Sequence, residues 1–190
     1  MYLPVIITIL VLIIALYIFI NMPKSKFTIV APQYVYGVLS EKNANVLLVN
    51  VLSDKMPYKI TLNGVNDKRS LSKAEFECYL KDNNNKICVD NVVLYCAGWS
   101  CGAAKNYYND LVSRNIDVTK VLDYEGSIHE WASYSKIRPS VFTFNSIHTK
   151  APIDASQLLK DTSHKYYVEN YDNVAKELSM KYLNFADNLM

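Results

Sequence analysis

No basic stripe and no arginine-rich run occurs in this sequence, and its 20 Lys and Arg nearly balance its 18 Asp and Glu. Nucleic-acid partners are held by a concentrated positive face, so none is expected here. Four cysteines, at 78, 88, 96 and 101, are too irregularly spaced for a disulfide framework. Cys78 and Cys88 lack any Cys-x2-Cys or histidine partner spacing, and the histidines at 129, 148 and 164 are scattered. That pattern predicts no zinc site and calls for no other cofactor. The chain is rich in asparagine, yet none stands in an Asn-x-Ser/Thr context, as suits a domain unexposed to glycosylation. Internal repeats and long low-complexity tracts are also missing.

Charge is absent from one continuous stretch, "YLPVIITILVLIIALYIFI", residues 2–20. A helix of that length spans a hydrocarbon core of ~30 Å. In lipid the backbone must satisfy its own hydrogen bonds, which predicts a helix. Pro4 falls near its start, where a missing N–H costs little. A cleaved signal peptide would open with basic residues and use a shorter apolar core. Neither feature is present, so residues 1–22 are expected to be an uncleaved single-pass membrane anchor. Lys24 and Lys26 follow the run and nothing basic precedes it, which predicts a cytosolic soluble domain.

From Phe27 onward, apolar runs of strand length alternate with helix-like stretches. "FTIV" (27–30), "NVLLVNVL" (45–52), "YKITL" (58–62), "NVVLYC" (91–96) and "TKVLDYE" (119–125) read as strands. "PQYVYGVLSEKN" (32–43), "SLSKAEFECYLKD" (70–82), "GAAKNYYNDLVSRN" (102–115) and "SIHEWASYSK" (127–136) read as helices. Ser70 or Ser72 is expected to cap the second helix and Ser127 the last. Alternation of this kind predicts an α/β fold, a parallel sheet with helices on both faces. The domain is expected over 27–137. A C-terminal extension, 138–190, has no clear period at first and ends in an amphipathic helix over 164–190. That helix packs back on the domain or takes a protein partner.

The chemistry concentrates in "CAGWSCG", residues 96–102. Cys96 falls at the end of a buried strand, where ligands of open parallel sheets bind. A thiol needs help to ionise at neutral pH, and a helix start supplies unpaired N–H groups and positive dipole. Ala97, Gly98 and the small residues from Ser100 to Ala103 allow successive amides to turn inward as an anion cradle. The competing reading is that Cys96 is a small apolar core residue. Local physics alone leaves the two level.

Four pieces in order resemble the rhodanese-like sulfurtransferase family. Strand, Cys96, turn and helix resemble its active-site loop. "VLLVNV" (46–51) and "TLNGV" (61–65) stand where that family commonly reads Asp-Val-Arg and His-Ile-Pro-Gly-Ala. "VLDYEGSIHEW" (121–131) resembles its Leu-x-Gly-Gly-x-x-x-Trp signature through Gly126 and Trp131. Asn50, Leu52 and Thr61 replace the usual Asp, Arg and His. Cys101 resembles the second cysteine of a subgroup reading Cys-Trp-Gly-Pro-x-Cys. No arginine lies in the loop, so a Cys-x5-Arg phosphatase is not expected.

The resemblance implies sulfur transfer. Cys96 would attack a donor such as thiosulfate, hold the sulfur as a persulfide, and pass it to a thiophilic acceptor or protein thiol. The loop of Ala97, Gly98, Trp99, Ser100, Cys101 and Gly102 would bind the anion, with Ser100 adding a hydroxyl and Trp99 shielding the pocket, contacting a partner or simply packing. Cys101 is a candidate resolving thiol, which opens a second reading, a Cys96/Cys101 redox switch. A third is an inactive interaction module at a membrane. His129 is read as a solvated helix residue or a neighbour of the pocket.

Overall fold

A computed structural model describes residues 27–146, apart from Gly64, Asn66, Asp67, Ser100 and Pro139. The anchor expected over 2–20 and the amphipathic helix expected over 164–190 lie outside the described residues. Within them no helix is long and apolar enough to cross a membrane. In chain order the elements are β1 (Thr28–Ile29), α1 (Pro32–Ser40), β2 (Val46–Asn50), β3 (Tyr58–Leu62), β4 (Ser70–Ser72) and α2 (Lys73–Asp82). They continue with β5 (Asn91–Tyr95), α3 (Ala103–Ser113), β6 (Val121–Asp123), α4 (Ser127–Ile137) and β7 (Phe142–Ser146).

The run "VVLY" of β5 is apolar throughout because its strand is covered on both faces, and its residues are fully buried. β5 sits at the centre of a five-stranded sheet of order β1-β6-β5-β2-β4, in which every pairing is parallel. The chain is thus α/β, a parallel sheet flanked by helices. β3 does not join that sheet. It pairs antiparallel with β7, with Thr61 opposite Thr143. β7 falls where the sequence has no clear period, and its Phe142 and Phe144 are fully buried.

Polar contacts tie the small sheet to the large one. The Ile60 N–H donates to the Tyr95 hydroxyl (3.3 Å), and the Ser70 hydroxyl donates to the Ile60 carbonyl (3.2 Å). The indole N–H of Trp131 is shared between the carbonyls of Thr61 and Thr143, both at 3.2 Å. Its ring meets Phe142 edge to face at 4.9 Å. Trp131 is a staple across β3 and β7.

Two expected helix starts differ. Residues 70–72 form β4 beside β2, so helix α2 begins only at Lys73. Ser72 caps it through a reciprocal box with Glu75. Ser127 is not a cap, because its hydroxyl is engaged elsewhere; Gly126 takes the cap position without a side-chain bond. A Cβ on Gly126 would collide with a carboxyl oxygen of the buried Glu130, so only glycine leaves that carboxyl room. Burial pushes the Glu130 carboxyl up to about 7.

Asn50 is fully buried at the end of β2 and uses its whole amide. Its Nδ2 donates to the carbonyls of Met56 (2.7 Å) and Tyr58 (2.8 Å), and its Oδ1 accepts from the Leu52 N–H (2.9 Å). An aspartate there would set a carboxylate against two carbonyl oxygens. Asn50→Asp should therefore cost about 3 kcal/mol or more in urea unfolding, far more than a surface amide change. For Glu130 the sign follows from a folded pKa above the unfolded one. The folded state holds the extra proton, so stability is full below the ordinary carboxyl range and declines as pH rises through 7. The melting temperature should fall between pH 5 and 8, and Glu130→Gln should flatten that fall.

Candidate active site

β5 ends at Tyr95, so Cys96 is delivered to the carboxyl edge of the sheet and the chain turns at once into the loop. The Cys101 N–H donates to the Gly98 carbonyl (2.8 Å), closing a tight turn that folds the second thiol back over the first. α3 then starts at Ala103 with no side-chain cap. Its first amides are left to face the sulfurs, those of Ala103 toward Cys101 and Ala104 toward Cys96. The amides of Gly98 (to both sulfurs) and Ala97 (to Cys101) complete the cradle. The cradle thus draws on Ala97, Gly98, Ala103 and Ala104. The Cys101 amide is spent on the turn, and Ser100 lies outside the described residues.

The start of α4 buttresses the loop from below. The N–H groups of Ile128 and His129 donate to the carbonyls of Cys96 (3.3 Å) and Ala97 (2.9 Å). The buried Ser127 hydroxyl accepts from the Cys96 N–H (2.9 Å) and donates to the Tyr124 carbonyl (2.7 Å). Ser127 holds this place at a φ of 55°, a left-handed conformation uncommon for a serine. His129 is buried against the loop. A Cβ on Gly98 would meet its Nδ1 at 2.8 Å, so Gly98 is glycine because His129 lies beneath it.

Cys96 is 2% exposed and Cys101 half-buried. The Cys96 Sγ donates to the Cys101 carbonyl oxygen (3.3 Å), and the Cys101 sulfur lies near enough for each thiol to shift the other's titration. A thiolate at Cys96 would confront that carbonyl oxygen with negative charge. Accordingly the Cys101 contact and burial push the Cys96 thiol far up, while the Cys96 hydrogen bond and the amides pull Cys101 down to about 6. The pair behaves as a monoanion whose charge resides on Cys101.

Cys96 and Cys101 both border a cavity of about 210 Å³ beyond the ends of β5 and β6. Trp99 and Gly102 border it from the loop, Lys105 from α3, and Asp123 and Glu125 from the end of β6. Burial, then Glu125 and Cys101, push the half-buried Asp123 up to about 7. Sequence reading missed Asp123 and Ser127. The signal for Asp123 was an acidic residue in the last turn of a strand beside the thiol strand; Ser127 had none, since it imitates a helix cap. Among the described residues no group of His, Cys, Asp and Glu is placed to hold a metal ion. Cys78 and Cys88 are exposed thiols away from the cavity.

No family model, curated protein or solved structure matches the chain.

Ser127→Ala would leave a buried N–H and a buried carbonyl without their partner. It should cost about 2 kcal/mol by urea unfolding and speed alkylation of Cys96, which loses its backbone anchor.

Proposed function

We propose that this chain is a rhodanese-like sulfur carrier in which the Cys96–Cys101 pair takes up a sulfane sulfur and holds it as a persulfide on Cys96. The observation that carries this reading is the convergence of four backbone amides and an uncapped helix start on two adjacent sulfurs at the end of the central parallel strand. Such a cradle stabilises a thiolate, and after transfer it stabilises the terminal sulfur of a persulfide, which is also an anion. The Cys96 sulfur gives its proton to the departing part of the donor and bonds to the transferred sulfur, whose bond to the donor breaks with the electron pair leaving on that part, while the amides of Gly98 and Ala104 face the product. A nucleophilic acceptor then removes the sulfur and regenerates the pair, a two-step covalent cycle. The reading includes attachment to a membrane through the apolar run 2–20, with the domain on the cytosolic side.

The departures at Asn50, Leu52 and Thr61 bear on the scaffold rather than the sulfurs. Asn50 holds the turn after β2, Leu52 is core, and Thr61 is buried in β3. None lines the thiol cavity.

A second reading, dithiol–disulfide exchange, is favoured by one observation: the Cys96 thiol donates to the carbonyl of Cys101 itself, which sets the two thiols side by side at one cavity. A resolving thiol so close converts a bound persulfide or mixed disulfide into an internal disulfide.

The test uses the full chain with Cys78 and Cys88 replaced by serine, in detergent, offered a sulfane-sulfur donor. Intact mass should rise by one sulfur atom, mapped to Cys96, and cyanide should release it as thiocyanate. The Cys96→Ser/Cys101→Ser chain should carry none. Absence of the added sulfur from the unaltered pair would contradict sulfur carriage.

A further inference from the structure

The charges around the cavity bear on what can enter it. Of the described side chains that line it, Asp123 and Glu125 are acidic, Cys101 bears the charge of the thiol pair, and Lys105 is the single base. Lys105 and Glu125 are exposed on the rim, so solvent screens them. Asp123 is half-buried next to Cys101, where a charge is screened far less, and with its carboxyl pushed up to about 7 that charge is complete only above neutral pH. A doubly negative donor such as thiosulfate would approach a site already negative, with one rim lysine to offset it. The two sulfurs also differ in access, since Cys96 is sealed and Cys101 is half open. In addition, Cys96 points its proton at the Cys101 carbonyl oxygen (3.3 Å), which holds it back from a first attack.

We propose that Cys101 is the thiol that first meets an incoming sulfur compound, and that Asp123 and Glu125 restrict that compound to neutral or cationic disulfides and persulfides. The inference rests on the reading of Cys96 and Cys101 as a reactive pair. With a disulfide R–S–S–R, the Cys101 thiolate forms a bond to one sulfur, the S–S bond breaks, and R–S⁻ leaves. That thiolate takes the proton of Cys96. The Cys96 thiolate then attacks the Cys101 sulfur, closing a Cys96–Cys101 disulfide and expelling the second R–S⁻. The substrate gains two electrons and the pair loses them. With a persulfide R–S–SH, Cys101 takes the outer sulfur and releases R–S⁻. Cys96, deprotonated by that R–S⁻, then takes the sulfur from Cys101, which returns as the thiolate.

Three disulfides of similar size separate charge from chemistry: cystamine (cationic), 2-hydroxyethyl disulfide (neutral) and dithiodiglycolate (anionic). Each is reacted at about pH 8, where the Asp123 carboxyl is ionised, with the full-length Cys78→Ser/Cys88→Ser chain in detergent, and rates are normalised to the same disulfide reacting with a free blocked cysteine. Cystamine should exceed dithiodiglycolate by about tenfold, the effect of a charge or two at short range in a partly screened site. Asp123→Asn with Glu125→Gln should bring that ratio close to one while leaving the neutral disulfide's rate within about twofold. In the Cys96→Ser chain the mixed disulfide should accumulate on Cys101, and the Cys101→Ser chain should react at least tenfold slower with all three. Equal or inverted normalised rates, or a ratio unmoved by the double carboxylate change, would overturn the charge filter. A mixed disulfide trapped on Cys96 with Cys101 intact would overturn the order of the thiols. A pair inert to all three disulfides and to the sulfane donor alike would bring down the reactive-pair reading itself, an outcome distinct from indifference to charge.

Discussion

One proton for two neighbouring thiols organises this end of the molecule. Cys96 keeps it, because its sulfur faces the carbonyl oxygen of Cys101 and is sealed from water; Cys101 does without it, because amides and the Cys96 thiol all donate toward it. Each half of the arrangement needs the other. A lone buried thiol at the end of β5 would stay neutral, and a lone thiol at the start of α3 would have the helix amides but no donor beneath it. The positions are set by backbone rather than by side chains. β5 ends at Tyr95, a turn closed by the Cys101 N–H brings the chain back, and α3 opens without a cap. An uncapped, partly buried helix end is normally unfavourable, and here the sulfurs take the place of the missing cap.

The layer below explains residues whose chemistry looks odd in isolation. Ser127 adopts a left-handed conformation because that is where its hydroxyl bridges the Cys96 amide and the Tyr124 carbonyl. Gly98 yields its side chain to His129, which fills the space under the loop. Asn50, fully buried at the end of β2, is an amide because two carbonyls must be met by donors. Scaffold demands account for these residues, and none of the three lines the cavity that the two cysteines share with Asp123 and Glu125.

The alternation of apolar runs and amphipathic stretches made the parallel sheet legible, and β5 most of all, since a strand buried on both faces has a continuous apolar run. The loop was legible in its thiols and small residues, but not in which amides would point inward. That depends on the turn closed by Cys101, which removes its own amide from the cradle and leaves Ala103 and Ala104 to serve. Short elements escaped. β4 is three residues of serine and leucine that read as a helix start, and it is a strand because β2 offers a free edge. β7 is defined by its pairing with β3, a partner about eighty residues away, and no local period records such a contact. Asp123 became a cavity residue through the adjacency of β5 and β6, a fact of topology rather than of spacing.

The division of charge within the thiol pair is most directly measured by titrating thiolate absorbance in the full-length chain with Cys78 and Cys88 replaced by serine. The account predicts one thiolate appearing with a midpoint of about 6 while the second thiol stays protonated past the ordinary thiol value of 9.0, and an upward move of the first midpoint when Cys96 is replaced by alanine. Two thiols titrating together near 9.0, unaffected by each other's removal, would contradict it.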